Sequence, residues 1–246
     1  MRFSHSRVEC FNNCPYQYKL RYIDKLKTLP SDDPTDALIV GSALHKGVEE
    51  GVDKAIKMYY NSYPIVNDKH VEEAIKLEKL IPKALELISP DCHHEVELKT
   101  KEFIGYIDLV IPNEDGSVDL LDIKYSNNVE KYLDSKQVHL YKHYYEQQYG
   151  KKVNRIGYMF VPKTSIRQKK DESIYEFRKR LLETLLELEV LVKYVDFDES
   201  KVSGFVNDCE TISQCKDFPK KESRLCNWCS YMSYCKSNGE NNIDML

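Results

Sequence analysis

A chain of 246 residues is long enough for one large α/β domain with its own core. Its 36 Lys and Arg stand against 40 Asp and Glu, a net charge of −4, which excludes nucleic-acid binding by bulk positive charge and confines any such contact to a local patch. The opening MRFSHSRVEC has no apolar stretch of signal-peptide type and no apolar run reaches membrane-spanning length, so the expected location is the cytoplasm (the host's, if phage-encoded), with no membrane partner.

In chain order, apolar residues recur at helical spacing from Ser4 to about Lys25 (Val8, Phe11, Tyr18), with a break or kink at Cys14-Pro15. After the polar loop TLPSDDPTD, one helical pattern runs from Ala37 to about Tyr60 and another from about Val71 to Ile88. The period then shortens. HEVELKTKEFIGYIDLVIP and SVDLLDIKY alternate apolar residues and are joined by NEDGS, which predicts a β-hairpin. A helix from about Leu133 to Tyr149 stops at Gly150, VNRIGYMFVP reads as a strand, and a long helix from about Ser173 to Tyr194 leads into the cysteine-rich tail. This order predicts an α/β (α+β) fold in which helices flank a mixed β-sheet. Three basic patches read as solvated faces unless they touch nucleic acid: Lys19, Arg21, Lys25 and Lys27; Lys163, Arg167, Lys169 and Lys170; Lys216, Lys220, Lys221 and Arg224.

The hairpin carries the chemistry. Side chains two apart on a strand share a face, so Asp122 and Lys124 project together while Ile123 points into the core. Asp108 interrupts an apolar strand, which costs free energy unless its charge is paired or holds a metal. A hairpin symmetric about Asp115 sets Asp108 opposite Asp122, with Cβ atoms roughly 4.5–5.5 Å apart. Two carboxylates at that distance repel. A divalent cation relieves the repulsion, and an ordinary salt bridge from Lys124 is the alternative; a one-residue slip would reverse the face. His45 lies in GSALHKGVEE, on a helix that begins among small residues, and Gln137 and Tyr141 sit at i and i+4 on one helical face.

The chain has eight cysteines, which in a reducing cytoplasm read as metal or cluster ligands rather than disulfides. LCNWCSYMSYC supplies Cys226, Cys229 and Cys235, one thiolate short of a closed tetrad.

Taken together, Cys14-Pro15, GSALH ending at His45, GYID ending at Asp108, DIK from Asp122 to Lys124 and QVHLY from Gln137 to Tyr141 resemble the RecB-like branch of the PD-(D/E)XK nuclease superfamily. Similarity to its iron-sulfur members, AddB-type nucleases and CRISPR adaptation exonucleases, implies a restriction-endonuclease-like sheet whose N- and C-terminal segments are joined by a metal cluster. It implies one nuclease domain over residues 1–246: a helical insertion at about 37–90, a core at about 91–165, and a long helix with the cluster-binding tail at about 171–246. His45, Asp108, Asp122 and the carbonyl of Ile123 are then expected to hold Mg²⁺ or Mn²⁺. Lys124 is expected to act on the attacking water or the phosphorus centre, with Gln137 and Tyr141 orienting the site or touching the DNA backbone. Cys14 becomes the fourth ligand of a 4Fe-4S cluster with Cys226, Cys229 and Cys235. Structural Zn²⁺ is the alternative, using Cys209 or Cys215, and Cys10 lies nearby too. Trp228, Tyr231 and Tyr234 are expected to cover the cluster and pack the tail, with stacking on bases as the other reading.

The implied activity is a metal-dependent DNA exonuclease acting on single-stranded ends in recombination, repair or phage DNA metabolism. No GxxxxGK[ST] motif is present, so unwinding would require a helicase, a recombinase or another DNA-processing partner. The alternatives are a catalytically silent DNA-binding or assembly module and a zinc-stabilised regulatory protein.

Overall fold

Local capping and turn chemistry account for most element boundaries in the computed structural model, which describes residues 2–28 and 30–237. The first part of the chain holds α1 (His5–Asn13), α2 (Pro15–Tyr18), a π-helical turn (Lys19–Ile23), α3 (Ala37–Glu50), α4 (Val52–Asn61) and α5 (Asp68–Leu85). The middle holds β1 (His93–Lys99), β2 (Ile104–Pro112), β3 (Val118–Tyr125), α6 (Val129–Leu133), α7 (Gln137–Tyr149) and β4 (Val153–Val161). Then come α8 (Ile174–Glu187), β5 (Leu191–Val195), α9 (Glu199–Gln214), a 3₁₀ turn (Arg224–Trp228) and α10 (Met232–Lys236). Contacts group the chain into two units, one of Ser31–Leu98 with Tyr106–Phe197 and one of Met1–Pro30, Lys99–Gly105 and Asp198–Leu246.

The larger unit is built on a five-stranded sheet in the order β1-β2-β3-β4-β5. β3 and β4 run parallel, with β2 antiparallel to β3 and β5 antiparallel to β4. Alternation along the strands sorts the residues. Leu109, Leu121, Ile123 and Met159 join Leu44, Tyr59, Leu77, Ile81, Leu181 and Leu185 in one buried cluster, so α3, α4, α5 and α8 cover that face. Asp122 and Lys124 therefore face the other way, toward α7.

Several boundaries differ from the sequence expectation. The helical pattern of 37–60 is split at Gly51, whose φ of 96° is open to glycine and ends α3. The helix expected from about Leu133 begins at Gln137, because α6 ends at Leu133 and Asp134 caps it; its end at Gly150, in the left-handed conformation, is as expected. The helix expected to reach Tyr194 stops at Glu187. Lys83 Nζ, on α5, donates to the carbonyls of Leu185, Leu186 and Leu188 at 2.9, 2.8 and 2.6 Å, a terminating cap supplied about a hundred residues away. The residues beyond it pair with β4 as β5, and α9, which the sequence reading missed, follows from an Asp198 cap.

In the smaller unit, the N-terminal helices pack with the tail. Asn12 donates to Asp208, Lys221 to the carbonyl of Asn12, and Tyr16 N–H to the carbonyl of Pro219. Phe218 stacks on Tyr18. Cys14 breaks α1 from α2 in extended geometry, at the predicted Cys14-Pro15 kink.

Candidate active site

The β2–β3 hairpin turns through Asn113–Ser117, where Gly116 takes a φ of 82° and Asp115 accepts from the backbone and hydroxyl of Ser117. Its register pairs Leu109 with Leu121, Val110 with Leu120 and Pro112 with Val118, the symmetry about Asp115 read from the sequence. One step further along this register, Asp108 faces Asp122. Both are buried, at 8% and 2% exposure, and two buried carboxylates need compensation.

The compensation for Asp122 is dense. Its Oδ1 accepts from Gln137 Nε2 at 2.7 Å and from the Tyr141 hydroxyl at 3.3 Å. Gln137 also donates to the Tyr141 hydroxyl at 2.8 Å and accepts from Lys124 Nζ at 3.0 Å. Lys124 Nζ stands 2.7 Å from Asp122 Oδ2, so the ammonium compensates this buried oxygen. Burial opposes the Lys124 charge, but Asp122 outweighs it and raises the ammonium pKa. Burial, with the charges of Asp122 and Asp108, pushes the Tyr141 phenol well up.

Asp108 takes a different set. Its Oδ2 accepts from the Ile123 N–H at 2.6 Å, and its Oδ1 lies 3.2 Å from His45 Nδ1. His45 reaches the site from α3, whose N-cap Asp36 accepts from the N–H groups of Leu38 and Ile39 and whose apolar residues Val40, Ala43, Leu44 and Val48 anchor it on the core. The other imidazole nitrogen, Nε2, is 3.1 Å from the Ile123 carbonyl. Burial raises the Asp108 pKa, reinforced by Asp122 and opposed by His45. For His45 burial works against charge, but Asp108, Glu95 and Asp122 raise the imidazole pKa.

Glu95 was not singled out in the sequence. Its Oε1 is 3.9 Å from His45 Nδ1, and the ligand atoms of His45, Glu95 and Asp108 lie within 4.8 Å of one another. Glu95 holds a φ of 49° inside β1, a left-handed conformation that costs a residue with a Cβ roughly 1–3 kcal/mol. The alternation of HEVEL gives no sign of that reversal. The donor set so assembled, the imidazole of His45 with carboxylate oxygens of Glu95 and Asp108, suits a hard divalent cation; Asp122, on Lys124, Gln137 and Tyr141, is not in that group.

In the smaller unit, Cys14, Cys226, Cys229 and Cys235 line one cavity of about 390 Å³, together with Lys220 and Lys221. Cys209 and Cys215 are not among its walls. Lys220 donates to the carbonyl of Cys235, and its charge opposes the rise that burial imposes on that thiol. Cys10 is buried, and burial pushes its thiol up to about 11. The tail aromatics divide. Tyr231 is buried with its hydroxyl on the Leu26 carbonyl, whereas Trp228 is 78% exposed and does not cover the cysteines as expected.

A family profile for the PD-(D/E)XK nuclease superfamily matches residues 2–236. Among solved structures, a candidate exonuclease from Eubacterium rectale superposes with a TM-score of 0.50 at 12% identity, over 92% of each chain. The structure of SSO0001 covers 91% of this chain and 94% of its own at 11% identity, with a TM-score of 0.36 that is too low to argue from. No curated protein sequence matches the chain. The likeness to the first structure is one of fold, a mixed sheet flanked by helices. Among the described residues no helix is long and apolar enough to cross a membrane.

Proposed function

Since this chain belongs to the PD-(D/E)XK nuclease superfamily, whose members use divalent metals, we propose that it is an exonuclease that trims single-stranded DNA ends in recombination, repair or phage DNA metabolism. The observation that carries this reading is the buried pair Asp108 and Asp122, with His45 Nδ1 3.2 Å from the first and Lys124 Nζ 2.7 Å from the second. His45, Asp108, Asp122 and the Ile123 carbonyl would hold Mg²⁺ or Mn²⁺, with Glu95 beside them.

When bound, the cation polarises a phosphodiester oxygen and lowers the pKa of a bound water. The chain's own groups do the rest. Lys124, held as an ammonium by Asp122 and Gln137, orients the attacking water and offsets the negative charge that develops on the phosphoryl oxygens. Gln137 and Tyr141 keep Asp122 in one rotamer, so the carboxylate needs little reorganisation when the cation arrives.

The four cavity cysteines form a soft donor set suited to a 4Fe-4S cluster, and Lys220 beside them offsets thiolate charge. Such a cluster would tie the N-terminal helices to the tail and has a structural role. We read the chain as one nuclease domain, with the helices of 37–90 as an insertion before the catalytic core.

The test is cleavage of 5′- and 3′-end-labelled single-stranded DNA by anaerobically purified protein with Mg²⁺ or Mn²⁺, beside Asp122→Ala. Metal-dependent release of label, lost in the variant, supports the reading and reports polarity. A folded, metal-loaded protein that leaves the DNA intact would point to a silent binding module and a partner enzyme.

A further inference from the structure

A cleft of about 600 Å³ is lined by His45, Glu95, Ile123 and Lys124, and also by residues with no part in metal binding. Four of its features constrain what fills it. The first is Lys163, an exposed residue just past β4 whose ammonium lies 4.8 Å from the centre of the Tyr125 ring. Its backbone is pinned by reciprocal bonds with Asn127, whose Nδ2 donates to the Lys163 carbonyl at 2.8 Å and whose Oδ1 accepts from the Lys163 N–H at 2.7 Å. Lys163 thus presents a positioned amine; burial lowers its pKa, partly opposed by Glu73, and a phosphate placed against it would favour the charged form. The cleft's other lysines are engaged: Lys46 pairs with Glu49 and Glu50, and Lys124 with Asp122. Among the described residues Lys163 has no ion pair.

The second feature is Gly41, within α3. A glycine inside a helix costs roughly 1 kcal/mol relative to alanine and is kept where something needs the space. A Cβ built at Gly41 meets nothing within 4 Å, so no part of the protein uses that space. The residue lines the cleft, and its missing side chain lets a ligand's backbone approach the helix. The third is the apolar rim of Leu38 and Met58, 68% and 38% exposed, which suits sugar and base faces better than a free ion. The fourth is size, since a cleft within the range of about 300–1,000 Å³ takes a small-molecule-sized segment of a chain rather than a duplex.

We propose that this cleft holds a single nucleic-acid strand leading away from the scissile phosphate, with a flanking phosphate on Lys163 and the sugar-phosphate backbone passing against Gly41. The assignment rests on the nuclease reading for its direction, but its binding test is independent of cleavage.

A fluorescent oligothymidylate is titrated in EDTA over a range of NaCl concentrations against wild type, Lys163→Gln and Gly41→Leu, each first shown to melt like the wild type. Lys163→Gln is expected to weaken binding about tenfold at low salt and to reduce the slope of log K against log salt by about 0.7, the loss of one single-strand phosphate contact. Gly41→Leu is expected to weaken binding at least fivefold with the slope unchanged, because it removes space and no charge. A blunt duplex of equal length is expected to bind at least tenfold more weakly than the strand.

Wild-type affinity and slope in Lys163→Gln, no binding by the wild type, or equal affinity for duplex would overturn the proposal. Cleavage by wild type with Mn²⁺, scored on the same oligonucleotide, separates the two readings. Cleavage with unaffected variants leaves the nuclease and removes the cleft; the expected binding pattern without cleavage keeps the cleft and removes the nuclease.

Discussion

Asp108 Oδ2 accepts a hydrogen bond of 2.6 Å from the backbone N–H of Ile123, the residue between Asp122 and Lys124. One bond therefore joins the first carboxylate to the strand that bears the second, and sets the Ile123 carbonyl within 3.1 Å of His45. Asp108→Asn preserves the shape and removes the charge. Mn²⁺ affinity is expected to fall about 10–100-fold, and cleavage with it. Burial and Asp122 already disfavour the Asp108 charge, so the metal-free variant is expected to melt within a few degrees of wild type. Calorimetry with Mn²⁺ and thermal melting check the two halves; undiminished affinity would remove Asp108 from the ligand set.

Glu95 offers a way to separate strain from function. In Glu95→Gly the φ of 49° costs nothing, so stability in urea is expected to rise by up to about 1 kcal/mol. Loss of the carboxylate beside His45 and Asp108 is expected to weaken Mn²⁺ binding about tenfold. A more stable protein with unchanged metal affinity would make Glu95 a bystander.

Metal binding should release protons. Burial opposes charging His45, but Asp108, Glu95 and Asp122 lift its pKa from the ordinary value of about 6.5 to about 10, which favours the protonated imidazole at neutral pH in the metal-free protein. Asp108 is also raised, by burial and Asp122. A cation needs both groups without their protons, so affinity must increase with pH, by up to about tenfold per unit for each proton displaced. Mn²⁺ titrations at about pH 6, 7 and 8, in buffers of different ionisation enthalpy, measure the proton count. A flat profile would exclude His45 as a ligand.

Lys83 closes α8 through three carbonyls. Lys83→Met keeps the aliphatic stem and leaves those acceptors without their cap, and is expected to cost about 1–3 kcal/mol in urea unfolding. Lys83 is no part of the ligand set, so Mn²⁺ affinity of the folded variant is the control for a purely structural effect.

The cysteines can be sorted by iron content. Cys14→Ser and Cys226→Ser are expected to lose iron on anaerobic purification, because both residues line the cavity. Cys209→Ser and Cys215→Ser should retain it. Cys10→Ser should retain it too, since Cys10 is not among the walls of that cavity. Zinc in place of iron, or dependence on Cys209 or Cys215, would favour the local zinc site.

Much of the hairpin that bears Asp108, Asp122 and Lys124 was determined by sequence alone. A five-residue loop with Gly116 set the register about Asp115, alternation put Asp122 and Lys124 on one face, and i, i+4 spacing brought Gln137 and Tyr141 to the same carboxylate. These are short-range rules, acting through strand period, turn conformation and helical rise, and they operate wherever the segment ends up. Tertiary structure decided the rest. The leucine-rich run after Ser173 contains no local stop signal, and it ends where Lys83 reaches its carbonyls and β4 offers an edge for Leu191–Val195. Glu95 joins His45 through a backbone reversal that its neighbours do not encode, and Cys14 shares a cavity with Cys226 across more than two hundred residues. Caps, strand partners and ligand sets of this kind depend on groups distant in the chain, whose meeting is fixed only when the core closes around them.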